Sequence, residues 1–170
     1  AFDALGISEC EACHGNHKIL FPSDEMLAGG KNDVCVLCHD LGTEPHQTGL
    51  EIKQRIDGYV ASSEAARKLL ASAERKGVEV SEAQFKLQDA TTALIQARNL
   101  SHGLSLPEIE AGLSDGAKLV AEVRTRGEAA LREAKFRRSG LIVATVFILL
   151  LAVALRSEEH TSNSSHANIS

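Results

Sequence analysis

The chain has 170 residues, of which 44% are apolar, only 4% are aromatic and none is tryptophan. Its 18 lysines and arginines stand against 23 aspartates and glutamates, so the net charge is −5 and there is no basic surplus of the kind that nucleic-acid binding requires. Alanine, leucine, glutamate and arginine are abundant, which is typical of closely packed helices. We therefore expect an all-α protein.

Two motifs near the N-terminus share one pattern, in which two cysteines separated by two residues are followed directly by a histidine. The first, CEACH, spans 10–14, and the second, CVLCH, spans 35–39. This is the attachment signature of c-type haem, in which two thiols bond covalently to one haem and the histidine ligates its iron. The predicted covalent haem ligands are Cys10, Cys13, Cys35 and Cys38, and the predicted proximal iron ligands are His14 and His39.

Paired C-x-x-C motifs also build tetrahedral zinc sites, so zinc is an alternative cofactor. Zinc does not require a histidine directly after each pair, whereas a haem iron needs an axial ligand there, and the pattern therefore favours two covalently bound haems c. Disulfide bonds are less favoured, because each cysteine pair already has a use.

Residues 1–47 are predicted to form a dihaem domain, because so short a segment cannot bury an ordinary apolar core. Lys18 and Lys31 stand against eight acidic residues in this segment, which gives it a net charge of −6. This charge predicts a redox partner with a basic face, and ordinary solubility is the alternative explanation.

Each haem iron takes a second axial ligand or stays open for substrate. The candidate distal ligands are His17, His46 and His102, and surface or capping roles are the alternative for each. Met26, the single methionine, lies in a polar loop and is a weaker candidate. Three histidines for two irons indicate bis-histidine ligation, which favours electron transfer over substrate chemistry.

Residues 48–138 are predicted to form a helical stalk, with helices at about 49–76, 81–102 and 106–138. Gly77 is a natural stop for the first, and capping boxes open the second at Ser81 and the third at Ser105. The apolar or small residues at helical spacing, which are predicted to face the core, are Ile52, Ile56, Val60, Ala66, Leu70 and Ala73, then Leu87, Ala90, Leu94, Ala97 and Ser101, then Ile109, Leu113, Gly116, Val120, Val123, Gly127, Ala130 and Ala134.

The helix lengths predict where the turns of the stalk lie. The first helix leaves the haem domain and the second returns toward it, so the turn that contains His102 should lie near the haems. The third helix should then run roughly 50 Å to a membrane at about Ser139.

Residues 139–155 are predicted to be a transmembrane helix that the sequence truncates, because Leu141–Leu155 lacks charges but is shorter than the roughly 20 residues of a full span. A buried core helix is the alternative, but this segment is apolar on all sides. The basic residues that precede it would place the stalk in the cytoplasm by the positive-inside rule. Haem attachment requires export, and we assign the stalk to the outside on that ground.

Both ends of the chain are expected to be incomplete or foreign. The sequence begins at Ala1 without a signal peptide, and we interpret it as a fragment that lacks upstream haem motifs. Residues 156–170 resemble a translated sequencing adapter, so His160 and His166 receive no functional role; a genuine polar tail is the alternative.

Residues 10–24 and 32–39 resemble the repeat of class III-type multihaem cytochromes c with doubled C-x-x-C-H motifs, in which a run close to C-x-x-C-H-G-x-H-x-I-x-x-P-S-D-P precedes a short loop and a second C-x-x-C-H. Glu25 stands where that family usually has proline. The stalk is similar to the C-terminal region of membrane-anchored bacterial members, including a histidine that matches His102. The resemblance implies low-potential bis-histidine haems and periplasmic electron transfer.

The sequence therefore predicts a cytochrome anchored in the bacterial cytoplasmic membrane, with its haem domain on the periplasmic side and no catalytic residues of its own. Its partners would be a membrane redox protein, such as a b-type cytochrome, and a periplasmic electron acceptor. Two alternatives remain: a multihaem reductase with one open iron, and a zinc-binding head on a coiled-coil stalk that acts in assembly or signalling.

Overall fold

The computed structural model describes residues 9–18 and 21–166, and it describes side chains as far as Ser157. Within these residues the chain forms α-helices and short 3-10 turns and no strand, which confirms the all-α prediction. The helices are α1 (Cys10–His14), α2 (Glu44–Glu74), α3 (Ser81–Leu100) and α4 (Leu106–His166). The 3-10 turns are Asp24–Met26, Cys35–Leu37 and Ser101–Gly103.

The first long helix, α2, starts at Glu44, ahead of the predicted Gly49. Its first turn contains an acidic residue and a proline, both of which favour a helix N-terminus. The helix ends at Glu74, and Gly77 then adopts a φ of 76°, which reverses the chain direction. The amide of Val78 donates to the carbonyl of Ala73 at 3.2 Å and so satisfies one of the last carbonyls of the helix.

Helices α2, α3 and the first half of α4 pack into a three-helix bundle, with each helix antiparallel to the next along the chain. The buried side chains follow the predicted apolar positions, with Val60 and Ser101 only half-buried. Ile52, Ile56 and Ile109 are fully buried at the end of the bundle near the cysteine motifs, and Val123 is fully buried further along α4. This bundle is the stalk that the sequence predicts.

Glycines allow close approach of the helices at two points on α4. A methyl group added at Gly116 would clash with the hydroxyl of Tyr59 and would lie 2.7 Å from Cβ of Ala93. A methyl group added at Gly127 would lie 2.7 Å from Cδ2 of Leu69. The loss of helix propensity at these glycines is therefore offset by closer packing.

The second half of α4 leaves the bundle without a break in the helix. Its side chains from Leu141 to Leu155 are exposed, and none of its most apolar stretch is buried. By length and composition it is the one helix of the described residues that could cross a membrane.

Candidate functional site

The first cysteine motif forms α1, a single helical turn. The amide of Gly15 donates to the carbonyl of Glu11 at 2.9 Å, and Gly15 then ends the turn with a φ of 73°. Residues three apart in a helix lie on the same side, so this turn directs Cys10 and Cys13 to one side of α1. Both thiols are free and exposed, and His14 directly follows them, half-buried.

The second cysteine motif forms the 3-10 turn Cys35–Leu37. The amide of His39 donates to the carbonyl of Cys35 at 2.9 Å, which closes the turn. Asp33 organises the loop before it, because its carboxylate accepts from the amide of Gly29 at 2.7 Å and from the amide of Cys35 at 2.9 Å. All four cysteines are free, with Cys35 half-buried and Cys38 exposed.

Burial raises the pKa of the Cys35 thiol, and the negative charge of the neighbouring Asp33 carboxylate raises it further. Burial alone would raise the pKa of Asp33, but the amides of Gly29 and Cys35 and the side chain of His46 outweigh it and hold that pKa below its usual value.

The turn between α3 and α4 lies against the first motif. The ring centroids of His14 and His102 are 6.2 Å apart, and the ring planes are inclined by 32°. Nδ1 of His102 lies 3.0 Å from the carbonyl oxygen of Asn99. Because a carbonyl oxygen only accepts, Nδ1 is the protonated nitrogen in this bond, and the lone pair of Nε2 is free to bind a metal. The structure therefore brings together two histidines that the sequence assigned to haem ligation and that lie far apart along the chain.

The separation of these two rings fits the axial ligands of one iron. An imidazole nitrogen binds a metal at about 2 Å and the ring centroid lies about 1 Å further out, so two rings on opposite sides of one ion have centroids about 6 Å apart. A hydrogen bond from the other ring nitrogen to a backbone carbonyl is the usual support for a metal-bound histidine. His14 and His102, with the adjacent free thiols of Cys10 and Cys13, are thus compatible with a covalently attached haem.

His46 lies in the first turn of α2 and is only 5% exposed. Its Nε2 is 3.4 Å from Oδ2 of Asp33, and its buried Nδ1 has no hydrogen-bond partner. Through Asp33 it is connected to the second motif. His17 is exposed, and within residues 9–18 and 21–166 neither His17 nor His39 has a ring contact.

Two features of this region escaped sequence reasoning. One is Asp33, whose role in the loop has a weak sequence signal, its position two residues before Cys35. The other is the ion pair between Arg98 and Asp24, which are 74 residues apart. Arg98 donates to both carboxylate oxygens, and this contact raises the pKa of its guanidinium.

The four thiols do not gather around one point. In the described part of the chain no three or more side chains of histidine, cysteine, aspartate or glutamate are close enough to share a metal ion. A structural zinc site needs four such ligands.

A comparison with protein families finds a match to the doubled CXXCH motif over residues 5–43. The matched segment contains both cysteine motifs and stops directly before α2. No curated protein and no solved structure matches the chain. The doubled motif indicates covalent binding of haem c, as in multihaem c-type cytochromes, which typically transfer electrons.

Proposed function

We propose that this protein is a membrane-anchored cytochrome c that relays electrons on the periplasmic side of a bacterial cytoplasmic membrane. The doubled cysteine motif carries the proposal. The 6.2 Å separation of the His14 and His102 rings supports it, because that distance suits two ligands of one iron.

In this proposal each motif holds one haem, which when bound supplies the one-electron chemistry of its iron. Cys10 and Cys13 would hold the first haem covalently, and His14 and His102 would ligate its iron. The bond between His102 and the Asn99 carbonyl orients the distal ring and selects its tautomer. Two imidazoles would occupy both axial positions and leave none for a substrate, so this site is suited to electron transfer.

Cys35 and Cys38 would hold the second haem covalently, and His39 would ligate its iron. His46 is the better supported distal candidate, because it is buried next to Asp33 and carries an unsatisfied ring nitrogen, which is costly unless another group satisfies it. His17 is the alternative.

The stalk separates the haem segment from the bilayer. Helix α2 has 31 residues and is about 46 Å long, and the first half of α4 is of similar length. Direct oxidation of a membrane quinol is disfavoured over such a distance. We therefore propose that a membrane partner, such as a b-type cytochrome, delivers the electrons, and that the acidic haem segment passes them to an acceptor with a basic face.

Covalent haem content is the first test. The full chain, expressed behind an export signal in a host that matures c-type haem and purified in detergent, should contain two haems per chain by haemochrome absorbance. A chain without covalent haem that instead contains about one zinc would contradict the proposal and favour the zinc-binding module.

Axial ligation is the second test. His102→Ala should convert one of the two haems from low spin to high spin, because it removes the distal ligand of the first site. His46→Ala serves as the matched variant and should affect the other haem. An unchanged low-spin spectrum in His102→Ala would contradict the assigned pair.

One observation favours a second function, a reductase with an open iron. In the described residues His39 has no ring contact with another histidine. If the second iron is open, the reduced wild-type protein should bind carbon monoxide rapidly at half of its haems. Slow binding at both haems would exclude this function.

A further inference from the structure

We propose that Arg98 and Asp24 form a latch that positions His102 for iron ligation, so that Arg98 is a positioning residue for the first haem. The inference rests on the proposed function, because His102 can act as a ligand only when haem is attached to the first motif. Its basis is a bidentate ion pair, in which Nε of Arg98 donates to Oδ1 of Asp24 at 2.9 Å and Nη2 donates to Oδ2 at 2.6 Å.

On the helix side, the latch is joined to His102 by short-range bonds. Arg98 and His102 are about one helical turn apart at the end of α3. The hydroxyl of Ser101 donates to the carbonyl of Arg98 at 2.6 Å, and Nδ1 of His102 lies 3.0 Å from the carbonyl of Asn99. These bonds fix the 3-10 turn to the end of α3, so a displacement of Arg98 would be transmitted to His102.

On the haem side, Asp24 begins a 3-10 turn that is bonded to the segment leading into the second motif. The carbonyl of Glu25 accepts from the amide of Asn32 at 2.9 Å, and the carbonyl of Met26 accepts from the amide of Val34 at 3.0 Å. The Asp24 side chain is 20% exposed and the Arg98 side chain is 45% exposed, so the ion pair is shielded from solvent on the Asp24 side only. The latch therefore ties His102 to the segment that connects the two cysteine motifs.

The latch would hold the His102 ring at the distance and in the direction that iron ligation needs. A metal–imidazole bond is about 2 Å long, and a supporting group must hold its ligand to within about 0.5 Å. A guanidinium that contacts both oxygens of a carboxylate fixes direction as well as distance. The loss of the latch should therefore shift the equilibrium between bound and detached His102.

The test is the rate at which carbon monoxide binds to the reduced full chain, since carbon monoxide enters a six-coordinate site only when the distal histidine detaches. His102→Ala identifies the kinetic phase that belongs to the first haem. Arg98→Met and Asp24→Asn should each accelerate that phase on the order of fivefold, and Arg98→Lys should have an intermediate effect because lysine makes only a single-point contact. The double variant should add little to either single change.

Glu122→Gln is the matched control. It breaks the ion pair between Lys86 and Glu122, which joins α3 to α4 at 2.9 Å within the stalk. It should leave the carbon monoxide phase and the low-spin spectrum unchanged. A general loosening of the bundle would instead affect this variant and the latch variants alike.

The latch would be overturned if Arg98→Met and Asp24→Asn both bound carbon monoxide at the first haem as slowly as the wild-type chain, with normal haem loading. An equal acceleration in Glu122→Gln would overturn it as well. Asp24→Asn keeps the shape of its side chain, so it remains a valid test if Arg98→Met lowers haem loading. A wild-type chain without covalent haem would be a failure of the proposed function rather than of the latch.

Discussion

Gly49 lies where α2 passes the segment that carries the second cysteine motif. A methyl group added there would come 2.8 Å from Cβ of Ala28 and 3.5 Å from Sγ of Cys35. We expect Gly49→Ala to lower stability by about 1–2 kcal/mol, because a crowded contact outweighs the gain in helix propensity. It should also lower haem loading at the second motif, which haemochrome absorbance and thermal denaturation would measure together.

Gly58 on the same helix is the matched control for this change. A methyl group added at Gly58 would meet nothing within 4 Å. Gly58→Ala should therefore stabilise the protein by up to about 1 kcal/mol and leave haem loading unchanged. Gly58→Ala is expected to stabilise the chain. If Gly49→Ala stabilised it as well, that result would contradict the close packing of α2 on the segment with the second motif.

Tyr59 makes a buried polar contact between helices. It is the single tyrosine of the chain, it is 7% exposed, and its hydroxyl donates to the carbonyl of Ala90 at 2.6 Å. We expect Tyr59→Phe to cost about 1 kcal/mol in the free energy of unfolding, because the ring still fills its place but the hydrogen bond is lost. Chemical denaturation at neutral pH would measure the difference.

The same residue gives the bundle a defined response to alkali. Burial raises the pKa of Tyr59 above its ordinary value of 10.0. Burial thus favours the neutral phenol of Tyr59 in the folded state. This contribution to stability is fully present below the pKa of tyrosine in the unfolded chain, and it is lost as the pH rises through the pKa of Tyr59 in the folded protein. The wild-type chain should therefore lose stability above about pH 10 more steeply than Tyr59→Phe, and NMR of the labelled ring would follow the ionisation.

At the scale of the elements, apolar periodicity predicted the bundle but not all of its ends. The second long helix starts at Ser81 as predicted, but the predicted capping box is not formed. Val80 occupies the N-cap position without a side-chain cap bond, and the amide of Ser81 donates to Oε1 of Glu79 at 2.7 Å. The first starts earlier than predicted, at Glu44, because its opening turn is polar and carries no periodic signal. Tyr59 is buried although the predicted positions included its neighbour Val60 instead.

The placement of His102 near a cysteine motif also followed from helix lengths alone. The ion pair between Arg98 and Asp24 did not, because its partners are 74 residues apart and neither lies in a motif. Side-chain contacts of this kind depend on the register of the assembled helices, which single-sequence periodicity does not determine.

The contribution of packing to the bundle can be tested on two isoleucines. Ile56 on α2 is fully buried, whereas Ile95 on α3 is 53% exposed. Ile56→Ala should cost about 2–5 kcal/mol, because it removes apolar contacts and leaves a cavity, and Ile95→Ala should cost well under 1 kcal/mol. Urea denaturation followed by circular dichroism would compare them, and similar costs for both would contradict the described register of the helices.

At the scale of the whole molecule, the haem segment and the bundle depend on different interactions. Among the described residues before α2, Ala28 is the only fully buried apolar side chain, whereas the apolar core lies in α2, α3, α4 and the turn between α2 and α3. We therefore expect the bundle to fold on its own apolar core. The haem segment has little apolar core of its own and would depend on the attached haems.

Removing the haem attachment sites should separate these two parts. In a variant with all four cysteines replaced by serine, we expect the helical circular dichroism signal and the amide protection of the bundle to persist. The amides of Asn32 and Val34, which donate to carbonyls of Glu25 and Met26, should lose protection, because haem no longer supports that loop. Hydrogen exchange of the full chain in detergent, with and without haem, would measure both. Loss of bundle protection together with the loop would mean that the haems stabilise the stalk as well, and that the head and the stalk unfold as one cooperative unit.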